Sequence, residues 1–303
     1  MEIREITLAN ANYKFTIQND EVCIEEYTGS KTELSLPDKI HGLVVSKIQK
    51  KAFFNSRVLR RVYLPATLKT IGDWAFAHCP NLEEVYIKKQ SYECGRGIFS
   101  ECGKLRTICL WDQEDVKDEH KGFGSLLCAT SGILDAEYLF QTEKVDDESW
   151  LELWDKRMLS ILHEDDMEGY TKLLLCGEED YGSSENNLDV FLEQKRKRKV
   201  KLAFLRLQYN KQLSSANREE LETYIINHTV GCESRESFLV VKEEFSDSPE
   251  YINLFLELGC VTLDNFSDIL EDIGEDYPQL KAYMLRYKEE KLGSNDFFAG
   301  LML

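Results

Sequence analysis

The sequence predicts an α+β chain of two domains, a β-solenoid built from short repeats followed by an all-α domain of helical repeats. Apolar residues recur every 23 positions in the first third of the chain, and from about residue 136 they follow the period of amphipathic helices. The charge changes at the same point, because residues 1–135 contain 18 basic and 19 acidic residues whereas residues 136–303 contain 19 and 36. We therefore predict domains over 1–135 and 136–303.

Four apolar columns keep the 23-residue spacing over three consecutive units. They are Phe53, Phe76 and Phe99; Leu59, Leu82 and Leu105; Val62, Val85 and Ile108; and Leu64, Ile87 and Leu110. A unit this short cannot bury its apolar face alone, so the units must stack and place their strands side by side in a parallel sheet. We predict that the three phenylalanines form one buried column.

Within one unit, the alternation over 62–65 (VYLP) predicts a short strand with Val62 and Leu64 pointing inward. A turn follows and ends at Gly72, and a short helical or irregular segment over 73–76 then buries its phenylalanine.

The segment 71–85 (IGDWAFAHCPNLEEV) resembles the BspA-type, or Treponema-type, leucine-rich repeat, whose unit carries Ile-Gly, Ala-Phe and Cys-x-x-Leu before a strand that ends in proline. Segments 34–37 and 42–48 resemble the first strand and turn of that family, and the hairpin over 13–24 resembles its N-terminal cap. The resemblance covers about residues 10–112 and implies a leucine-rich-repeat β-solenoid. Residues 122–134 are then expected to be a degenerate last unit that acts as a cap.

The second half carries helix start and stop signals. Acidic residues precede an amphipathic pattern over 150–162, and one long helix is predicted over 187–213. Ser215 is expected to cap the next helix, and Pro249 and Pro278 are each expected to begin one. In total we predict seven to nine helices. The expected apolar face of the long helix is Leu188, Phe191, Leu192, Leu202, Leu205 and Tyr209.

Three segments of this half, 166–177, 248–260 and 264–288, resemble degenerate ankyrin repeats. The resemblance implies an ankyrin-like stack, although the Thr-Pro-Leu-His start of that repeat is missing. Another helical array and a compact bundle remain alternatives.

The nine cysteines include no C-x-x-C pair, so the sequence does not predict a zinc site. Cys79 and Cys102 occupy the same place in consecutive units, which would set their Cα atoms about 5 Å apart. Parallel side-chain directions and a reducing compartment oppose a disulfide between them. We expect both thiols to be buried, reduced and inert.

No catalytic, metal-binding or cofactor-binding pattern is recognisable. The sequence has no P-loop and no G-x-S-x-G, and Gly95 and Gly97 read as turn residues. The acidic segment 112–118 fails the EF-hand template, and the ligand-rich segment 163–166 reads as a solvated helix end. We predict no enzyme activity, no metal and no cofactor.

The basic run 195–201 (KRKRKVK) allows two interpretations. It could be a nucleic-acid or localisation patch, or it could be a helix face that pairs with the acidic surroundings of its own domain. The strong negative charge of that domain favours the second interpretation.

The outer face of the predicted sheet is the candidate binding surface. If the Val62 and Val85 strands alternate, the residues on the concave outer face are Arg61, Tyr63, Glu84, Tyr86 and Thr107, with Cys109 beside them. The two tyrosines would lie on neighbouring strands and could contact a partner at low entropic cost. Cover by the second domain or by loops is the alternative.

These observations predict a non-catalytic protein–protein interaction module or scaffold. The alternatives are an enzyme or enzyme subunit with a site at the interdomain cleft, and a cell-surface adhesin, which the family resemblance implies. A formal charge of −18 disfavours nucleic acid and anionic membranes as partners. The charged start and the lack of any apolar run of about 20 residues predict a cytoplasmic protein. The protein partner and the oligomeric state stay open.

Overall fold

The computed structural model describes residues 2–111, 121–131, 147–171 and 187–293. It consists of an N-terminal β-solenoid of about 4 turns followed by a helical C-terminal region, as the sequence predicts. The chain divides into two compact units, Met1–Arg157 and Met158–Leu303. These units are defined by contacts within the structure, whereas the domain boundary at residue 135 is inferred from composition. That boundary therefore stays a prediction.

An antiparallel three-stranded meander begins the solenoid. Its tight turns place Asn10, Asn19 and Asp20 in the left-handed region, at φ of 64°, 51° and 60°, which asparagine and aspartate tolerate well. The sequence predicts a two-stranded hairpin over 13–24. The structure adds a third strand before it, which pairs with the first strand of the hairpin. The strands are β1 (Arg4–Leu8), β2 (Ala11–Gln18) and β3 (Glu21–Gly29).

Two sheets run along the solenoid. The first continues from β3 in parallel through β6, β8 and β10, with β5 paired to β6, and the second has the order β11-β9-β7-β4 and is parallel throughout. The first contains β5 (Lys39–Ile40), β6 (Leu43–Ile48), β8 (Thr70–Ile71) and β10 (Glu93–Cys94). The second contains β4 (Glu33–Ser35), β7 (Arg61–Tyr63), β9 (Glu84–Lys88) and β11 (Thr107–Trp111).

The predicted apolar columns form the core between the sheets. Val62, Val85 and Ile108 are fully buried and lie in register on neighbouring strands. Phe53, Phe76 and Phe99 form the predicted column. The repeat period therefore reports the stacking of equivalent residues.

Gly72 occupies the closest approach between two consecutive turns. A Cβ there would lie 2.6 Å from the main-chain nitrogen of Lys50, and a Cβ at Gly95, 23 residues later, would lie 2.4 Å from that of Asp73. The Ile-Gly motif of the repeat thus reflects a backbone contact that leaves no room for a side chain.

Helix α1 (Lys121–Ser131) covers the last strand of the second sheet. Its Gly124 approaches so closely that a Cβ would lie 2.8 Å from the Ile108 carbonyl oxygen. The described part of the predicted cap, 122–134, is thus helical. Helix α2 (Glu148–Leu162) adds two tryptophans to this end, because Trp150 contacts Phe123 and the Trp154 indole donates to the Leu126 carbonyl at 3.3 Å.

Every regular element described in the second unit is helical. Prolines occupy the first position of two helices, as predicted, and Ser214 rather than Ser215 caps another. A π-helical turn, Lys288–Leu292, follows the last helix. The helices are α3 (Leu188–Gln208), α4 (Ser215–Asn227), α5 (Glu236–Glu244), α6 (Pro249–Glu257), α7 (Phe266–Ile273) and α8 (Pro278–Tyr287).

Helix α3 differs from its prediction in length and in its buried face. The helix ends at Gln208 rather than near residue 213. Just beyond this end, the carbonyl oxygens of Tyr209 and Lys211 accept hydrogen bonds from the buried Arg206 guanidinium. Leu202 and Leu205 are buried as predicted. The remaining members of the predicted face, Leu188, Phe191, Leu192 and Tyr209, are only half-buried.

Candidate binding surface

The strands of the second sheet bring the predicted surface residues into rows. Parallel pairing sets Arg61 opposite Glu84 and Glu84 opposite Thr107, and it sets Tyr63 opposite Tyr86. Alternation along each strand turns the neighbouring valines and isoleucine inward, so these rows lie on the outer face.

Tyr63 and Tyr86 stack directly on each other. Their ring centroids are 4.3 Å apart and their planes differ by 13°. The Tyr86 hydroxyl donates to Glu84 Oε2 at 2.7 Å. Both rings are half-buried, so the stacked pair exposes part of its flat aromatic surface.

Both phenols stay protonated well above neutral pH. Burial raises the pKa of Tyr63, and the neighbouring Glu33 carboxylate raises it further. Burial also raises the pKa of Tyr86, together with its hydrogen bond to Glu84. The pair therefore presents two neutral hydroxyl groups at physiological pH.

The charged row beside the tyrosines alternates in sign. Arg61 Nε lies 3.1 Å from Glu84 Oε2, and Arg61 Nη1 lies 3.9 Å from Glu33 Oε2. Glu84, and to a smaller extent Glu33, raises the pKa of Arg61. The guanidinium is thus held between two carboxylates at the edge of the aromatic pair.

Thr107 is in register with Arg61 and Glu84 but contacts a different neighbour. A Cβ on Gly124 of α1 would lie 2.4 Å from Thr107 Oγ1, so the helix lies against this side chain. The structure therefore brings four of the five predicted surface residues together and places the fifth beside the covering helix.

Two further side chains belong to the same face, and the sequence reasoning missed them. Lys88 and Trp111 lie opposite each other at the ends of β9 and β11, and both are half-buried. Each lies two residues beyond an outward residue, Tyr86 or Cys109, so the alternation could have identified them.

The basic run of α3 pairs with the acidic residues of its own unit, which confirms the favoured interpretation. Arg196 Nε donates to Asp166 Oδ2 at 2.6 Å, and Lys199 Nζ lies 2.8 Å from Asp166 Oδ1. Lys197 Nζ lies 2.9 Å from Glu243 Oε2, and Lys201 forms an ion pair with Glu244. This face of the helix is therefore not a free cationic patch.

The segment 163–166 supplies part of this network. Burial alone would raise the pKa of Asp166, but hydrogen bonds from Arg196 and Lys199 outweigh it and hold the pKa below its ordinary value. His163 Nε2 lies 2.6 Å from Glu220 Oε1. The segment thus has structural partners, whereas the acidic segment 112–118 lies outside the described residues.

The two repeat-related cysteines are buried, as predicted. Cys79 Sγ donates to the Phe53 carbonyl oxygen at 3.3 Å and Cys102 Sγ donates to that of Phe76 at 3.1 Å, in both cases 26 residues earlier. Hydrogen bonding with Cys79 and burial raise the pKa of Cys102. The thiols act as core groups that satisfy main-chain acceptors.

Among the helices of the described ranges, none combines the length and the apolar character that crossing a bilayer requires.

Residues 16–120 match the BspA type leucine rich repeat region, with 6 copies of the repeat. This match confirms the leucine-rich-repeat prediction for that part of the chain. No curated protein is significantly similar to the chain. None of the comparisons supports ankyrin repeats in the C-terminal region, so that likeness stays a prediction.

Three solved structures are similar to part of the chain. A leucine rich cell surface protein from Faecalibacterium prausnitzii A2-165 shares 30% identity over 35% of this chain and 30% of its own, with a TM-score of 0.30. The leucine rich repeat protein of T. pallidum shares 26% over 35% and 49%, with a TM-score of 0.27. A leucine-rich repeat protein from Bacteroides capillosus ATCC 29799 shares 20% over 36% and 99%, with a TM-score of 0.28. The chain thus spans less than half of the first two relatives.

Proposed function

We propose that the chain is a non-catalytic protein-interaction module or scaffold, and that the outer sheet face formed by Arg61, Tyr63, Glu84 and Tyr86 binds a protein partner. Leucine-rich repeat domains are typically interaction modules and usually non-catalytic, which supports the class of function. The partner itself is not identified by any similarity.

The stacked tyrosine pair carries this proposal. Two rings with centroids 4.3 Å apart already occupy one geometry, so a partner that packs on them orders few side chains. Tyrosine is enriched at protein interfaces because it combines a large apolar area with a hydroxyl group. A partner segment with an apolar side chain and a hydrogen-bonding group matches this surface.

The charges at the surface compensate one another. Arg61 lies between Glu84 and Glu33, and Lys88 is on the same face, so two cations offset two carboxylates and the face exerts little net attraction at long range. We therefore expect affinity to come from contact with the tyrosines and to depend only weakly on salt.

A pull-down from the source organism, read by mass spectrometry, tests the proposal when two baits are compared. Proteins retained by the wild-type chain should be lost from a Tyr63→Ser/Tyr86→Ser bait, and titration calorimetry with the purified partner should show at least a tenfold weaker Kd. Tyr283→Ser is the matched control, since it removes a half-buried tyrosine from the second unit. Equal retention by both baits, with equal Kd, would refute the sheet face as the binding surface.

The two alternative functions and the cytoplasmic location remain predictions. The Faecalibacterium prausnitzii relative is a cell surface protein, and that location is a property of the relative. Cell fractionation with an antibody against this chain distinguishes a cytoplasmic scaffold from an exported adhesin. The enzyme-subunit alternative is tested by measuring the enzymatic activity of each partner that the pull-down returns, with and without the purified wild-type chain.

A further inference from the structure

Aromatic and cationic side chains cluster on the turns that follow β6 and β8. Trp74 is 36% exposed and Phe54 is 40% exposed, although both are large apolar residues. The Lys50 ammonium lies 4.8 Å from the centre of the Trp74 ring, and the Lys51 ammonium lies 5.0 Å from that of Phe54. His78 contacts Phe54 edge-on, with 4.9 Å between ring centroids. We call these five residues the Trp74 surface.

The backbone at Trp74 adopts a conformation that disfavours its side chain. Its φ is +52°, and the equivalent residues of the neighbouring turns, Lys51 and Gly97, have φ of +61° and +56°. The turn therefore requires a left-handed residue at this place, and glycine meets the requirement without strain. A bulky residue with positive φ is disfavoured, and Lys51 at the equivalent place shows that the repeat tolerates this cost.

The neighbouring turn makes room for the indole. A Cβ on Gly97 would lie 2.9 Å from Trp74 Nε1, so the ring lies against the backbone of the next turn. Both lysines also lie close to the indole, with Lys50 Nζ 4.8 Å and Lys51 Nζ 5.9 Å from the ring centre. Trp74 is thus a partly exposed ring in a defined position, which is the form that binding hot spots take.

The carboxylates that border this cluster already have partners. Glu101 Oε2 lies 2.8 Å from His78 Nδ1, and Asp73 Oδ1 accepts from the Arg96 main-chain N–H at 2.8 Å. Lys50 and Lys51 form no ion pair with any described carboxylate. A main-chain N–H leaves the charge of Asp73 in place, so the charge that the Trp74 surface offers a partner is that of the two exposed ammonium groups, Lys50 and Lys51.

We propose that the Trp74 surface binds an acidic peptide segment of a protein partner, with an apolar side chain of that segment packed on the indole and its carboxylates facing Lys50 and Lys51. Charge complementarity identifies this occupant. Nucleic acid or an anionic bilayer binds tightly only where many cations neutralise its charges, and the first 135 residues are nearly neutral, with 18 basic and 19 acidic residues. Two lysines are enough for a short acidic segment. This second surface does not depend on the sheet face proposed above.

Selection from a random peptide display library on the full chain tests the proposal. The enriched peptides should combine aspartate or glutamate with an aromatic or leucine side chain, and synthetic versions should bind more weakly as NaCl rises. Trp74→Gly reproduces the residue of the next turn, so it should keep the melting temperature within a few degrees and weaken peptide binding at least tenfold. Lys50→Glu/Lys51→Glu should weaken binding equally without touching the backbone.

Tyr63→Ser/Tyr86→Ser is the control for the other surface, and it should leave peptide affinity unchanged. Enriched peptides without acidic residues, or with equal affinity for the wild type and the lysine variant, would overturn the proposal. Competition by a single-stranded DNA oligonucleotide at equal charge concentration would also overturn it, in favour of a polyanion site.

Discussion

The ring of Phe76 stacks on that of Phe53, with 4.6 Å between centroids and 14° between planes. Phe99 extends the stack at 5.6 Å, and Tyr27 of the N-terminal meander extends it at 5.1 Å on the other side. One continuous aromatic column therefore joins the N-terminal cap to three successive repeats, and offset-stacked rings of this kind add to the stabilisation by burial.

Replacement of Phe76 with alanine should strongly destabilise the first unit. The ring is fully buried between two others, so we expect a loss of about 3–5 kcal/mol in the free energy of unfolding. Urea denaturation followed by circular dichroism measures it. Phe54→Ala is the matched control, because that ring is 40% exposed, and it should cost much less. A cost below about 1 kcal/mol for Phe76→Ala would contradict the buried column.

Gly72→Ala should also destabilise the repeat, for a different reason. The new Cβ would lie 2.6 Å from a main-chain nitrogen, which can move only if two turns separate. We expect a loss of about 1–3 kcal/mol, in the range of overpacked substitutions. Gly103→Ala is the control, because no atom lies within 4 Å of the position that its Cβ would take and its φ is not left-handed. Equal stability of the two variants would show that the turns do not approach as described.

The ion pair between Asp166 and Lys199 should contribute pH-dependent stability. Lys199 is only 2% exposed and also donates to the Glu164 carbonyl oxygen, so Asp166→Asn leaves a buried ammonium without its carboxylate partner. We expect a loss of roughly 2 kcal/mol at pH 7, less than for a fully buried pair because Asp166 is 23% exposed. Lys201→Gln, which removes a more exposed ion pair, should change stability by well under about 1 kcal/mol.

The direction of the pH effect follows from the lowered pKa of Asp166. A carboxyl group with a lowered folded-state pKa stabilises the fold above its unfolded pKa, and this contribution is lost as the pH falls through the folded pKa. The difference between wild type and Asp166→Asn should therefore be constant at neutral pH and shrink below about pH 4. A difference that grows with acidification would contradict this assignment.

Thiol chemistry should separate the buried cysteines from Cys232, which is exposed. Burial raises the pKa of Cys23 to about 11 and that of Cys260 to about 12, so little thiolate forms at pH 8. Ellman's reagent should label exposed Cys232 quickly in the native protein and these two slowly, as peptide mapping would show. Cys232→Ser should remove that fast reaction. Rapid labelling of Cys23 or Cys260 would contradict their burial.

The same reagent tests the prediction for Cys79 and Cys102. The denatured, unreduced protein should contain nine free thiols. A count of seven, with peptide mapping to these two residues, would show that they form a disulfide.

The C-terminal end of the solenoid should need the tryptophans of α2. A fragment over 1–135 lacks Trp150 and Trp154, which contact Phe123 and the Leu126 carbonyl. A fragment over 1–162 retains them and should melt at a higher temperature and aggregate less. Equal melting temperatures would support the boundary at 135 that the composition predicts.

The repeat period by itself determined the solenoid, the inward columns and the outward tyrosines. Stacked units place equivalent residues next to each other, so spacing in the sequence translates directly into contact in space, as Phe53 and Phe76 show. The prolines at the helix starts were likewise predictable, because proline restricts φ locally.

Only the tertiary structure decided contacts between residues that no period relates. Lys199 meets Asp166 across 33 residues, Gly124 of α1 lies against Thr107, and Trp74 is exposed on a turn whose neighbour carries glycine. Each outcome depends on which distant segment fills the space beside a side chain. Local patterns specify which face of an element is apolar or charged, but the packing of the whole chain decides what covers that face.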